Sequence, residues 1–383
     1  MTYIPGGGGG TGSISTSSDV ALNNTATGNV LAYDASIAKW RNIVPESTSG
    51  GFITVGLPGS GAHYTVDNAA GADIAINRAL TDVGIAGSVF LLPGTFSVKA
   101  PIVLQDMQAL IGCAPHSSML DVVTGWSGDA VIKTPAGYTG VRNVIRDLGI
   151  NGHKRVAQGI SLIIDDAPSS FGPDPQPWIN RVFVHGVTGD GFFLGGTYAG
   201  AQREAKVSDC RAQNVGGWGF NIQSSDVFIS NCSVQGGDQG GYFIGGGNSK
   251  VLGCKAYSCG LSGTSPAPGF KISARGVITG CEAQDNIGNG FEIVGPDANL
   301  SGCVADSNGD GVNGNISAGF FISANYCHIE GSSYQRVNGG AIWKVAGAGQ
   351  MHALRLASGA QNIYAVLSTG SHPSPWASNL SGA

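Results

Sequence analysis

From about residue 145 onward, apolar positions recur in two short phrases rather than in a helical stripe. The first phrase is Gly, an aromatic or aliphatic residue, any residue, then Ile or Leu. It stands at Gly159–Leu162, Gly191–Leu194, Gly219–Ile222, Gly241–Ile244, Gly269–Ile272, Gly290–Ile293 and Gly319–Ile322, and a weaker copy, Gly340–Trp343, is expected to close the series. Starts fall 21 to 32 residues apart, the variable period of a β-solenoid whose extra residues leave through its turns. The second phrase is an apolar residue, two small or polar residues, then Cys. It places Cys210, Cys232, Cys254, Cys281 and Cys303 at one point of successive coils, with Ser332 expected in the Cys place of the last copy.

Strand alternation sorts the faces. Phe192, Phe220, Tyr242, Phe270, Phe291 and Phe320 are predicted to stack inside, and Ser161, Phe193, Asn221, Phe243, Lys271, Glu292 and Phe321 to point out, with Lys271 and Glu292 close enough to pair. Outward Phe193, Phe243 and Phe321 suit a subunit, a loop or a sugar. After each Cys, two further outward rows are predicted: Arg211, Ser233, Lys255, Glu282, Val304, and Gln213, Gln235, Tyr257, Gln284, Asp306. The fold class expected is all-β, a right-handed single-stranded parallel β-helix of about ten to eleven coils, a rod on the order of 50 Å long.

The flanks read differently. Residues 1–45 form a Gly-rich lead and a small patterned block, residues 46–72 a Gly/Pro/Ser-rich linker, 73–345 a capping helix and the β-helix, and 346–383 a C-terminal cap. The helix is predicted from Ile76, Ala79, Leu80 and Val83 on one face, with Asp73 as its N-cap. Such a helix covers the unpaired backbone and open core of the first coil.

Composition sharpens this picture. Gly makes up 63 of the 383 residues, more than twice the usual ~7 %, which suits many short strands and tight turns. A net charge of −5 argues against nucleic acid as a partner, and no apolar run approaches the ~20 residues of a membrane span. The start, Met1–Gly10, has neither the basic nor the apolar region of a secretory signal. Eight cysteines suggest disulfides at first, but their coil-by-coil spacing points to a reduced internal ladder of small buried hydrophobes. Seven scattered His and no Cys-x-x-Cys spacing point to no metal site, and no cofactor is expected.

Two resemblances add to the pattern. Residues 18–44, with Asp19-Val20-Ala21-Leu22, Gly28-Asn29-Val30-Leu31-Ala32-Tyr33-Asp34 and Lys39-Trp40-Arg41-Asn42, resemble a segment near the N-termini of phage tail-fibre and tail-spike proteins. The resemblance implies a virion protein, homotrimeric, joined to other tail or baseplate proteins through residues 1–45 and contacting a bacterial surface glycan. Residues 67–123, with Val89-Phe-Leu-Leu-Pro-Gly-Thr-Phe96 after the helix, resemble the entry to pectate-lyase-like β-helices, which implies fold rather than chemistry.

Glycoside hydrolysis needs two carboxyl groups roughly 5–10 Å apart, which adjacent coils supply. Glu282, Asp285 and Asp306 are the catalytic candidates, with Asp165, Asp166 and Asp190 as others. Val184-His185-Gly186 matches only a fragment of the polygalacturonase pattern, and Asn151-Gly152-His153 reads as a turn. Glycan binding is assigned to Gln213, Gln235, Tyr257 and Gln284, whose amides and ring suit an extended sugar chain, and to Trp178 beside the insertion at 163–178. The readings left open are a receptor-binding tail protein, one that also cleaves its glycan, a purely structural tail component, and a cellular polysaccharide lyase or hydrolase.

Overall fold

The computed structural model describes residues 51–136, 142–163, 176–195, 204–261, 266–309 and 317–331, and the backbone of short strands at 20–21, 30–34, 39–43, 332–334, 352–356 and 364–369. The chain winds into a parallel β-helix. A representative coil carries strands Lys206–Ser208, Arg211–Val215 and Trp218–Ile222, and the next repeats them at Phe228–Ser230, Ser233–Gly237 and Gly240–Ile244. We call these the first, second and third faces. The third face is a sheet of 10 strands running from Ile102–Val103 to His352–Leu356, in line with the ten to eleven coils expected.

The inward positions build the core as the alternation requires. Phe192, Phe220, Tyr242, Phe270, Phe291 and Phe320 are fully buried and stack with ring centroids 4.5, 5.0, 4.6, 4.9 and 5.0 Å apart. The coil repeat of about 4.8 Å is close to the stacking distance of aromatic rings, so the two periods reinforce each other. The Gly that opens each phrase also has a steric cause. A Cβ on Gly219 would lie 2.3 Å from Val234 Cγ2, and one on Gly241 2.5 Å from Ala256 Cβ, so any side chain there collides with the second face.

All eight cysteines are free. Cys210, Cys232, Cys254, Cys281 and Cys303 line the inside of the corner between the first and second faces. The backbone N–H groups of Cys210, Cys232 and Cys254 each donate to the sulfur one coil on, at 3.4 Å. Burial pushes the Cys232 thiol up and that of Cys303 to about 11, whereas hydrogen bonds from the Cys232 and Cys281 thiols pull the Cys254 thiol between them down. The residue before each Cys turns the corner through a left-handed conformation: φ is 55° at Asp209, 53° at Asn231, 59° at Gly253, 61° at Gly280 and 60° at Gly302. Gly, Asn and Asp tolerate that region best. A second ladder lies at the corner between the second and third faces. There buried Asn286 donates to Asn308 Oδ1 at 2.8 Å and to Ala256 O at 3.1 Å, and accepts from Cys259 N–H at 3.0 Å.

The helix runs Ala72–Val83 with Ile76, Ala79, Leu80 and Val83 buried, but Asp73 is not its N-cap. Gly71 holds that place without a side-chain cap bond, and buried Asp73 accepts from the Lys99 N–H at 2.7 Å. Asn77 likewise donates to Pro101 O at 2.8 Å and accepts from Val103 N–H at 2.9 Å. The capping helix thus covers the open sheet edge with side-chain hydrogen bonds as well as apolar contact, which helix periodicity cannot show.

Other boundaries move. Phe52–Gly56, within the stretch expected as a linker, pairs in parallel with Ser88–Leu91, because Ile53 and Val55 are buried beside the helix. The Cys place of the last copy belongs to Gly331, not Ser332. A register shift after Leu300 sets Cys303 opposite Gly331 and Val304 opposite Ser332, since the later coil is one residue shorter. The backbone of Phe320 pairs in register with Leu354, so strands reach into the expected C-terminal cap, and Gly340–Trp343 lies outside the described residues. Ser161, expected outward, is buried. Near the N-terminus, Val20–Ala21, Val30–Asp34 and Lys39–Ile43 form a separate three-stranded sheet.

Candidate functional site

The second face gathers most of the candidate residues. Its strands present two outward columns, one residue per coil in each. The first column runs Phe183, Arg211, Ser233, Lys255, Glu282, Val304. The second runs Asp121, Asn151, His185, Gln213, Gln235, Tyr257, Gln284, Asp306. The register therefore brings Gln213, Gln235, Tyr257 and Gln284 into one line and extends that line three coils upstream. Trp178 does not join it. It stands on the first face, beyond the corner at Arg181, opposite Val144 and Lys206.

The columns are cross-linked. The Arg211 guanidinium donates to Gln235 Oε1 at 2.7 Å and to the Tyr257 hydroxyl at 3.3 Å, and that hydroxyl donates to Gln235 Oε1 at 3.1 Å. Arg211 also lies 5.8 Å over the Phe183 ring, and the Lys255 ammonium 5.6 Å from the Tyr257 ring centroid. Lys255 donates to Glu282 Oε1 at 3.0 Å and Gln284 Oε1 at 2.6 Å. The result is a half-buried, pre-ordered band of donors, acceptors and ring faces.

The three candidate carboxylates lie at one end of this band in different settings. Glu282 is half-exposed and tied to Lys255. Asp285 occupies a left-handed corner position with φ 52° and accepts from Gln284 Nε2 at 3.1 Å. Asp306, 2 % exposed, follows Gln284 in the second column. Asp190 sits at a coil edge, accepting from Trp218 N–H and Asn221 Nδ2 at 2.8 Å each; burial raises its pKa. Asp165 and Asp166 lie outside the described residues.

The upstream end was not foreseen as a site. His153 pairs with Asp121 at 2.8 Å, and Asn151 Nδ2 donates to the same carboxylate at 3.1 Å. His153 and Lys154 have φ of 48° and 57°, two non-glycine residues in succession in a region that usually favours glycine. His185 lies in their midst, its ring 6.1 Å from Phe183. Burial, then Lys154, His153 and Arg211, hold its pKa below the ordinary value. The unfolded state then binds the proton more readily than the folded one, so His185 contributes stability above its unfolded pKa of ~6.5, and that contribution fades as pH falls through the folded value. An NMR titration is expected to place His185 below its ordinary midpoint, with Lys154→Ala moving it upward. A midpoint unchanged by Lys154→Ala counts against this electrostatic account. The signal in the sequence was Asn151-Gly-His153, correctly a turn, whose ion pair only the neighbouring coil reveals.

On the third face Lys271 and Glu292 pair at 2.9 Å. Outward Phe193 and Phe243 lie back over their own coils: a Cβ on Gly195 or Gly245 would stand 2.7 Å from the respective ring. Phe243 also packs against Trp218 with centroids 5.5 Å apart. Among the described residues no group of three or more His, Cys, Asp or Glu side chains could hold a metal ion, and no helix is long and apolar enough to cross a membrane.

Residues 178–333 match the family model described as the right handed beta helix region. The fold is a right-handed parallel β-helix. Solved structures agree with it at low identity. The enzymatically active domain of tailspike protein 2 from bacteriophage CBA120 superposes with TM-score 0.60 and 17 % identity, over 90 % of this chain and 50 % of that one. This β-helix therefore spans half the length of that domain. The A-module of a mannuronan C-5 epimerase from Azotobacter vinelandii gives TM-score 0.53 and 16 % identity over 78 % and 83 %, and a protein of Geobacillus virus E2 gives 0.53 and 11 % over 90 % and 69 %. No curated protein sequence matches the chain.

Proposed function

We propose that this β-helix is a phage tail protein that contacts bacterial surface polysaccharide during adsorption, through the outward band of its second face. The observation that carries the reading is the second column, one polar or aromatic residue per coil from Asp121 to Asp306. A coil rise of about 4.8 Å is close to the rise of one sugar in an extended glycan, so successive sugars meet equivalent positions. Arg211, Gln235 and Tyr257 already hold one another, which lowers the ordering cost of binding. The N-terminal block and the phage tailspike among the structural neighbours support a virion setting. In that setting residues 1–45 attach to other tail or baseplate proteins and the working form is a homotrimer.

The decisive measurement is binding of the purified protein to host cells and to their extracted surface polysaccharide. Tyr257→Ala with Gln235→Ala is expected to weaken binding by roughly tenfold or more. Undiminished binding in that variant sinks the band, and failure of the native protein to bind any host glycan favours a purely structural tail component. The register supports one second reading, glycan cleavage at the lower end of the band, because Glu282, Asp285 and Asp306 fall on two adjacent coils. Reducing-sugar release tests it, and Glu282→Gln with Asp306→Asn is expected to lower release by ~10²-fold or more.

A further inference from the structure

A separate outward column runs along the first face: Trp178, Lys206, Phe228, Lys250, Val277, Asn299 and His328 on successive coils. Its first five members alternate apolar and cationic. Trp178, Phe228 and Val277 are 42 %, 37 % and 40 % exposed, three large apolar side chains held in water on one line. Lys206 and Lys250 between them are exposed and, among the described residues, take no part in an ion pair. The next outward column toward the second face carries hydroxyls at Ser208, Ser230, Thr279 and Ser301, with Leu252 between Ser230 and Thr279.

We propose that this column is a binding track for an acidic polysaccharide in which charged and uncharged sugars alternate. Like groups recur every second coil, about 9.6 Å or twice the ~4.8 Å rise, which is one disaccharide of an extended chain. The rings of Trp178 and Phe228 stack on the apolar face of one sugar, and Lys206 and Lys250 meet the carboxylate of the next. The hydroxyl column supplies hydrogen bonds along one flank. Two residues before the column, the other flank carries Glu204, Asp226 and Asp297, with one cation, Arg275, between the last two, so a polyanion lies toward the hydroxyls. A second copy of this chain suits the column poorly. A column lying on a rotation axis along the rod would set each lysine level with its own counterpart and gather like charges at one height. The track shares no residue with the second-face band and stands independently of it.

The test uses the full chain with hyaluronan as the alternating acidic probe, its methyl ester, and dextran. Binding to hyaluronan is expected, weakened about tenfold or more by esterification, with none to dextran. Lys206→Glu with Lys250→Glu, and separately Trp178→Ala with Phe228→Ala, should each weaken it by about tenfold. The same charge reversal at Lys133, on the third face, should leave it unchanged. Circular dichroism of each variant confirms the intact rod. Absence of binding by the native chain, equal binding to the ester, or undiminished binding by the lysine variant overturns the proposal. A change in molecular mass in light scattering on lysine reversal overturns it too, and assigns the column to a subunit interface.

Discussion

Phe270→Ala is expected to destabilise the rod by about 3–5 kcal/mol, the usual cost of emptying a buried aromatic site. Phe270 is fully buried in the middle of the ring stack, 4.6 Å from Tyr242 and 4.9 Å from Phe291. Two stacking contacts are lost, each worth about 0.5–1.5 kcal/mol beyond area. The flanking rungs are tied to their own coils by backbone pairing, so they cannot collapse into the cavity. Because each coil touches only its neighbours, stability in such a rod is local, and a single unfolding midpoint understates the loss. Hydrogen exchange read by mass spectrometry is the better check: faster exchange should centre on Gly240–Ile244, Phe270–Ile272 and Phe291–Ile293 and fade toward the ends. Uniform acceleration, or a cost below about 1 kcal/mol, contradicts a local ring stack.

Asn286→Ala is the second large expectation. Asn286 makes four hydrogen bonds at once: its side-chain amide donates to Asn308 Oδ1 and Ala256 O and accepts from Cys259 N–H, and its backbone N–H donates to Asn308 Oδ1. Truncation leaves the Ala256 carbonyl and the Cys259 amide buried without their bonds, each at about 1–3 kcal/mol. A total near 2–4 kcal/mol follows, provided no water enters the space left. The effect should appear as rapid exchange of the Cys259 amide. An outward control, Gln213→Ala, is expected to stay within about 0.5 kcal/mol. Equal behaviour of the two variants would show that the asparagine ladder does not hold this corner.

How much of this was legible beforehand depends on whether a residue's role repeats. Phe192 to Phe320 and Cys210 to Cys303 occupy equivalent points of successive coils, so pattern alone separated inside from outside and made disulfides an unneeded hypothesis. The two second-face columns were legible for the same reason. Asn286 and Asn308 were not, because two polar residues in Gly-rich turns look like ordinary turn formers until their amides are seen to share one buried corner. Trp178 is a glycan-binding candidate from its place beside the insertion at 163–178, but the left-handed corner at Arg181, φ 50°, sets it on another face from the Gln/Tyr row. Asp73 looked like a helix cap from its position, but its carboxylate was needed 26 residues away at Lys99.

The sequence by itself determined the coil period, the inward stacks, the reduced cysteines and the two columns of the second face. It could do so because a strand alternates strictly and a solenoid repeats, so each residue's environment follows from its place in a short phrase. Only the tertiary structure decided the phase between faces, the reach of the columns and the partners of the charged groups. Those depend on corners of variable length, where one residue more or less, as between Cys303 and Gly331, resets which side chains meet. The Asp121–His153 pair and the alternation of Trp178, Lys206, Phe228 and Lys250 arise in this way, from residues 22 to 32 positions apart that become neighbours only when coils stack.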